Sequence, residues 1–247
     1  MDAYQDKIHF ELSAWQHKMT RSPSVVDMFS KRVQDKMNSF IPEKVHRAIT
    51  VTIEKMFKGV LFGAKYTSGK MLEAGSLVLR EAYIKQQIQF YQKTASAEGA
   101  LTGAGGILMG FADFPIFIAI KIKMLFEIAS LYGYDVKDYK ERLYILYVFQ
   151  LAFSSQQRRN EVFEFLRHWE AFSLGLPERA DDFDWRSFQQ EYRDYIDLAK
   201  MAQLIPVIGS AVGAIANYKL VDKLGETAMN CYRMRLLSRQ GTLLLPS

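Results

Sequence analysis

The sequence predicts an all-α protein that folds as one multi-helix domain. Apolar residues recur at the three- and four-residue spacing of amphipathic helices along most of the 247-residue chain. No window alternates apolar and polar residues convincingly at the period of two that marks a strand, and no Asn-Gly or Asp-Gly hairpin turn occurs. Two glycine-rich apolar segments are expected to be helical and to pack in the core.

Helical patterns follow one another through the N-terminal half. A break at residues 21–24 separates the first helix from the second, and Pro42 suits the first turn of a third helix, where its missing N–H would be unpaired anyway. A further helix is expected from Tyr83 to Lys93. The first helix should bury its apolar face, which consists of Ile8, Leu12, Trp15 and Met19.

The C-terminal half continues the helical pattern. Residues 135–153 begin polar and become apolar on all sides, as expected of a centrally buried helix. The next apolar stripe consists of Val162, Phe165, Leu166, Trp169 and Phe172.

Charge is distributed unevenly within the single predicted domain. Residues 31–93 hold twelve Lys and Arg against five Asp and Glu, whereas residues 161–198 hold four against ten. This asymmetry indicates either a face for anionic partners or two oppositely charged solvated faces. The domain, residues 1–247, therefore divides into a basic half (1–98), a glycine-rich apolar segment (99–130), an acidic helical part (135–200) and a second glycine-rich segment (202–239).

Composition narrows the class of protein. Apolar residues make up 49% of the chain, too many for a disordered segment. A single cysteine, Cys231, excludes an internal disulfide and suits a reducing compartment, where it is expected to be a buried, inert thiol. The acidic start of the chain does not resemble a secretory signal. We therefore expect a cytoplasmic protein.

The two glycine-rich segments are the most unusual feature of the sequence. Each contains a pair of glycines four residues apart, Gly106 with Gly110 and Gly209 with Gly213, a spacing that lets a neighbouring backbone approach closely. A spanning helix needs about 20 apolar residues, and charges interrupt both segments before that length. They are expected either to pack together in a soluble core or to present an apolar surface to lipid or to a membrane protein.

Asp113 is the one charge inside the longest apolar segment. Asp before Phe114-Pro115 is a typical start of a helix. The carboxylate accepts hydrogen bonds from the unpaired backbone N–H groups of the first turn, and proline has no N–H group that would be left unpaired there. We therefore interpret Asp113 as a helix N-cap. The alternative is a role in ligand contact or catalysis.

Motifs for catalysis and cofactor binding are missing. Gly103 to Gly106 lack the Gly-Lys-Ser/Thr of a nucleotide-binding loop, and no nucleophile elbow occurs. Glu43 with His46 gives only one Glu-x-x-His pair, and Glu164 with His168 is explained by an exposed helix pair. We predict no catalytic residue, cofactor, metal or nucleic-acid partner.

Several blocks resemble the EcsC protein family over essentially the whole chain. They are Trp15, Ile41 to Lys44, Gly103 to Gly106, Gly110 to Pro115, Tyr132 to Asp135 and Ile205 to Asn217. The resemblance implies a bacterial protein encoded beside an ABC transporter, made of an ATPase and a membrane permease, that is linked to protein export. The missing nucleotide-binding loop then means that this chain is not the ATPase. The resemblance implies no catalytic mechanism.

Three hypotheses about function follow. The first is a non-enzymatic accessory protein, peripheral at the cytoplasmic face of the membrane, that contacts anionic phospholipid or the membrane subunit of the transporter. The second is a carrier of an apolar or lipid ligand in a cavity between helices, and the third is an enzyme that acts on lipid. The candidate surface or cavity residues are Gly106, Gly110, Asp113, Pro115, Lys121, Lys123, Gly209, Gly213 and Asn217.

Overall fold

The computed structural model describes residues 3–21, 75–104, 106–154, 158–184, 186–188 and 210–239, with scattered positions between 47 and 60. Regular secondary structure in these parts of the chain is helical, which confirms the predicted all-α class. A 3₁₀ turn covers Ala180–Asp182. The α-helices are α1 (Ala3–Thr20), α2 (Leu77–Ala104), α3 (Gly106–Leu131), α4 (Tyr139–Phe153), α5 (Arg159–Arg167), α6 (Trp169–Leu174) and α7 (Ser210–Arg239).

Helix α7 lies at the centre of the packing and contacts α1, α2, α3, α4 and α5. Its closest neighbour is the antiparallel helix α2, whose Ile88 side chain packs against Gly225. A Cβ atom built at Gly225 would lie 2.8 Å from the Cδ1 and Cγ1 atoms of Ile88. Glycine costs about 1 kcal/mol relative to alanine inside a helix, and here it makes room for the α2 side chain.

Helix α4 is buried on nearly all sides, as its sequence predicts. It begins at Tyr139 because Asp138 caps it, accepting a hydrogen bond from the backbone N–H of Lys140 at 2.9 Å. The turn before it contains Gly133, whose φ of +89° lies in the left-handed region that favours glycine.

Helix α1 buries the four apolar residues predicted for its inner face. The stripe predicted from Val162 to Phe172 is only partly correct. Val162, Leu166 and Trp169 are buried, whereas Phe165 is exposed and Phe163 takes a core position. The reason is that the buried face of α5 is centred on Val162, Phe163 and Leu166, which places Phe165 at its edge.

The interpretation of Asp113 as a helix N-cap is wrong. Helix α3 begins at Gly106 and continues through Asp113, with Pro115 inside it. Proline within a helix removes one backbone hydrogen bond and costs about 3 kcal/mol. The long apolar face that follows, including the buried Ile118, Ile122 and Leu125, offsets this cost by packing into the core.

Candidate functional site

Two arginines of α7 organise most of the buried charge in the described residues. Arg233 and Arg235 are both less than one-tenth exposed, and each bonds a buried glutamate on another helix. Because they are two residues apart on a helix of about 3.6 residues per turn, they leave α7 on opposite sides. Hydrogen bonds and ion pairs therefore connect α7 to the helices on both of its sides.

The Arg233 cluster consists of Arg233, Glu81, Glu11, Tyr4 and Tyr132. The guanidinium Nε donates to Glu81 Oε1 at 2.7 Å, and Nη2 donates to the other oxygen. The hydroxyls of Tyr4 and Tyr132 donate to the same carboxylate at 2.8 and 3.0 Å. Arg233 Nη1 donates to Glu11 at 3.0 Å. Glu81 therefore accepts four hydrogen bonds although it is fully buried.

These contacts determine the charge state of the cluster. Burial by itself would raise the pKa of Glu81, but the hydrogen bonds and positive charge of Arg233 outweigh it and hold that pKa below its ordinary value. Burial and the hydrogen bond to Glu81 raise the pKa of Tyr4 to about 12. Near neutral pH, Glu81 is therefore a carboxylate and Tyr4 a neutral donor.

The Arg235 cluster on the other side of α7 consists of Arg235, Glu141, Tyr232, Glu170 and Arg239. Arg235 donates to Glu141 at 2.5 Å and to Glu170 at 2.8 Å, and Tyr232 donates to Glu141 at 2.7 Å. Burial raises the pKa of Glu141 despite these partners. Both clusters connect helices that are distant in sequence, and their role is therefore structural.

A groove opens beside the Arg233 cluster, between α1, α2 and α7. Its volume is about 680 Å³, within the range of roughly 300–1,000 Å³ that is typical of small-molecule sites. Trp15, Ile88 and Met229 line it with buried apolar surface. Lys18 and Lys85 line it from α1 and α2. We call it the three-helix groove.

Helix α2 carries an exposed stripe on a different side. Leu79, Tyr83 and Phe90 are 46%, 44% and 58% exposed, and Gln86 and Lys93 are exposed between and beyond them. Their spacing of four, three, four and three residues places all five on one helix face. Among the described side chains of α2 the one carboxylate is Glu81, which is buried, so the stripe of residues 79, 83, 86, 90 and 93 carries only positive charge.

The predicted site residues are distributed between the core and the surface. Lys121 and Asn217 are fully buried, whereas Pro115 and Lys123 are exposed. For the other positions the structure gives no side-chain surroundings. Gly106, Gly110 and Asp113 lie within α3 and Gly213 within α7, whereas Gly209 lies outside the described residues.

Lys121 and Asn217 lie at the same level of the helix packing. Tyr91 of α2 contacts Glu127 of α3 at 2.7 Å, and the neighbouring Gln92 contacts Asp222 of α7 at 2.7 Å. Helix α2 is antiparallel to both helices. Moving about one and a half turns towards the C-terminus of α2 therefore reaches the level of residue 121 on α3 and of residue 217 on α7. Two of the predicted site residues are therefore buried polar side chains at one level of the helix packing.

Asn217 is expected to reduce the stability of the folded protein. Neither atom of its side-chain amide has a hydrogen-bond partner in the part of the chain that the structure describes, although the residue is 0% exposed. A buried polar group without a partner costs about 1–3 kcal/mol. We expect Asn217→Leu to raise the free energy of unfolding by about 1 kcal/mol or more, measured by urea denaturation.

Asn230→Leu is the matched control, because the Asn230 amide donates to Glu226 O at 3.0 Å and accepts from Arg233. That variant should lose stability. If Asn217→Leu is instead less stable than the wild type, the amide has partners in the folded protein and this interpretation is wrong.

The remaining sequence candidates give no further site. Cys231 is buried, as predicted, and burial raises the pKa of its thiol above the ordinary value. Glu164 and His168 lie 3.3 Å apart on an exposed helix surface, and the pair formed by Glu43 and His46 lies outside the described residues. No group of three or more His, Cys, Asp or Glu side chains able to hold a metal occurs in the described ranges.

Sequence reasoning missed both arginine clusters, the groove and the stripe of α2. The clusters and the groove depend on residues far apart in the chain, such as Glu81 and Arg233, which are separated by 152 positions. The stripe lies within one helix, but which face of that helix is exposed depends on how it packs against the others. One local signal was available, because Arg233, Arg235 and Arg239 recur within an otherwise mostly apolar stretch.

The fold and these features define an all-α protein held together by buried arginine–glutamate clusters. None of the helices described for this chain has both the length and the apolar character needed to cross a membrane. A family model with the description EcsC protein family matches residues 6–237. The chain belongs to this family.

Two proteins of Bacillus subtilis (strain 168) are similar to the chain. Protein EcsC is 46% identical over 228 residues, which cover 92% of this chain and 94% of that protein. The uncharacterized protein YdbA is 33% identical over 141 residues, covering 57% of this chain and 52% of YdbA. No solved structure matches the chain significantly.

Proposed function

We propose that this protein is a non-enzymatic accessory protein that binds peripherally to the inner face of the cell membrane and works with an ABC transporter linked to protein export. Membership of the EcsC family supports the association with a transporter. The exposed stripe of α2 is the observation that carries the proposal of membrane binding.

The stripe has the composition of an interfacial helix face. Leu79, Tyr83 and Phe90 would enter the boundary between headgroups and acyl chains, as apolar and aromatic side chains of interfacial helices do. Lys93 would contact anionic headgroups, which attract each well-placed Lys or Arg by about 1 kcal/mol. The excess of basic residues between positions 31 and 93 also supports an attraction of this part of the chain to an anionic membrane.

We expect the double variant Leu79→Ser/Phe90→Ser to lose at least ten-fold in affinity for vesicles of anionic phospholipid, because it removes two large apolar groups from the membrane contact. Lys93→Glu should weaken binding and make it less sensitive to salt. Co-sedimentation with anionic and with neutral vesicles, over a range of salt concentrations, measures both effects.

Leu174→Ser is the matched control, since Leu174 is 84% exposed on α6, away from the stripe. It should bind vesicles like the wild type. Equal recovery of the wild type with anionic and neutral vesicles, or equal losses in the stripe and control variants, would contradict the proposal.

A further inference from the structure

We propose that one end of the helix packing enters the boundary between head groups and acyl chains of an anionic membrane, while three lysines contact the lipid head groups. This end, which we call the glycine-rich end, consists of residues 94–104 of α2, 106–122 of α3 and 210–218 of α7. The inference rests on the proposed membrane binding and deepens it, because it states which part of the protein enters the lipid.

The three helix segments of the glycine-rich end lie together because α2 is antiparallel to both of its neighbours. The Tyr91 hydroxyl of α2 donates to Glu127 of α3 at 2.7 Å. Ser96 Oγ of α2 donates to the carbonyl oxygen of Ala214 in α7 at 3.2 Å. The C-terminal part of α2 is therefore next to the N-terminal parts of α3 and α7.

Three exposed lysines lie at one level of the packing, where the glycine-rich end begins. Two hydrogen bonds between helices define this level, from Gln92 to α7 and from Tyr91 to α3. Lys93 follows these donors on α2, whereas Lys123 and Lys219 precede the acceptors on α3 and α7 by four and three residues. Four residues of a helix rise by about 6 Å, so the three lysines lie within about one turn of the same level.

These lysines are available to an anionic partner. Within the part of the chain that the structure describes, none of the three forms an ion pair or a side-chain hydrogen bond. The carboxylates nearest to them along α3 and α7 in the direction away from the glycine-rich end are Glu127 and Asp222, and both accept hydrogen bonds from α2. Ammonium groups on three helices at one level match the plane of anionic head groups at a membrane surface.

Beyond the lysines the three helices carry little charge. The glycine-rich end contains the carboxylates Glu98 and Asp113 and one lysine, Lys121, which is fully buried. No Asp, Glu, Lys or Arg occurs from residue 99 to residue 112, and both carboxylates lie between this stretch and the lysines in sequence. The six residues of α2 from 99 to 104 rise by about 9 Å, which fits the depth of about 5–10 Å that interfacial elements reach.

Apolar side chains of this end are exposed where the structure describes them. Ile116 of α3 and Ile215 of α7 are 52% and 58% exposed, and Pro115 is exposed as well. Tyr218 is exposed beside Lys219, and tyrosine is enriched where a membrane meets water. Transfer of these isoleucines from water into lipid would favour insertion.

The stripe of α2 and the glycine-rich end can contact the same membrane. Ala97 is exposed four residues after Lys93 and therefore continues the stripe towards this end. Helix α2 would lie obliquely to the membrane surface, with Leu79 near the head groups and the C-terminal end of the helix deepest.

Site-specific fluorescence of the full-length protein tests the inference. Ile116→Cys, Ile215→Cys and the control Leu174→Cys each add one exposed thiol, whereas the native Cys231 is buried, so a thiol-reactive nitrobenzoxadiazole probe labels the added site. On vesicles of phosphatidylglycerol and phosphatidylcholine, emission at positions 116 and 215 should rise about two-fold or more, because the probe leaves water for an apolar environment. A nitroxide on the acyl chain should quench it more than a nitroxide on the head group. The probe at position 174 should not respond.

A second set of variants tests the three lysines. Lys93→Gln/Lys123→Gln/Lys219→Gln should lose about ten-fold or more in affinity for the same vesicles, because three contacts with head groups are removed. The control Lys7→Gln/Lys137→Gln/Arg179→Gln removes the same charge at exposed positions away from the glycine-rich end. It should stay within about three-fold of the wild type, since salt screens charges far from the membrane. Thermal unfolding of each variant checks that the fold is retained.

Several results would overturn the inference: unchanged emission at position 116 or 215 in vesicle-bound protein, an equal response at position 174, stronger quenching from the head group, or equal losses in the two triple variants. Failure of the membrane proposal itself is distinguishable from these results. In that case the wild type would not co-sediment with anionic vesicles, whereas here it binds them while the labelled positions stay in water.

Discussion

Arg233→Met is expected to lower the free energy of unfolding by about 3–5 kcal/mol, because it leaves a buried carboxylate without its cation. Glu81 is fully buried and takes two of its four hydrogen bonds from this guanidinium. Methionine preserves much of the apolar stem but supplies no donor. Urea denaturation at neutral pH measures the loss.

Arg239→Met is the matched control. Arg239 bonds Glu170 at 3.0 Å with both side chains about half exposed, and an exposed ion pair contributes about 0–1 kcal/mol. Glu81→Met combined with Arg233→Met should be more stable than Arg233→Met alone, since no buried charge is then left unpaired. A loss of less than 1 kcal/mol for Arg233→Met would show that Glu81 is not held as a buried carboxylate.

The effect of Arg233→Met should also depend on pH. The folded pKa of Glu81 lies below its ordinary value of 4.5, so its contribution to stability is present above that pH and is lost as pH falls through the lower folded value. In the variant, burial without the cation raises the pKa of Glu81. The difference in stability between variant and wild type should therefore shrink as pH falls, beginning above pH 4.5, where Glu81 of the variant takes up its proton, and ending below 4.5, where Glu81 of the wild type does.

Gly225→Leu is expected to destabilise the protein by about 3 kcal/mol, at the upper end for an overpacked core. The Cβ atom alone would lie within 3 Å of three carbon atoms of Ile88, which is itself buried between α2 and α7. The new side chain must displace Ile88 or separate the two helices. Thermal or urea unfolding measures the loss.

The control is Gly175→Leu, because a Cβ atom there would meet only the Phe172 carbonyl oxygen, at an ordinary 3.6 Å. This exposed position should change stability by no more than about 0.5 kcal/mol. Ile88→Ala should offset part of the damage, so that Gly225→Leu/Ile88→Ala loses at least about 1 kcal/mol less than the sum of the single variants. Simple additivity would show that the two residues do not compete for the same space.

Periodicity predicted the elements better than the contacts between them. The buried face of α1 and the centrally buried α4 follow from local spacing alone. Apolar side chains on one helix face become buried whichever residues they pack against, so the pattern does not depend on knowing the partner. The start of α3 was predicted incorrectly, since Pro115 is a local signal for a helix start that long-range packing overrides. The break at His168 had no proline or glycine to indicate it.

The candidate site was less predictable because it depends on pairing across the chain. Buried Lys121 and Asn217 were singled out, yet the predicted glycine pairs did not include Gly225, where α2 and α7 approach closely. Gly225 was recognisable only as an isolated glycine in a helical pattern. Glu81 could not be matched to Arg233 from sequence, since any carboxylate of the chain was an equal candidate.

The central position of α7 has a consequence during protein synthesis. At a translation rate of about 5–20 residues per second, Arg233 leaves the ribosome roughly 8–30 s after Glu81, because 152 positions separate them. Until then, the apolar faces of α2 and α4 lack the helix that covers them. The nascent chain must therefore stay soluble with its core open, and a transcript truncated before codon 233 should yield a chain that is degraded rather than one that folds partially.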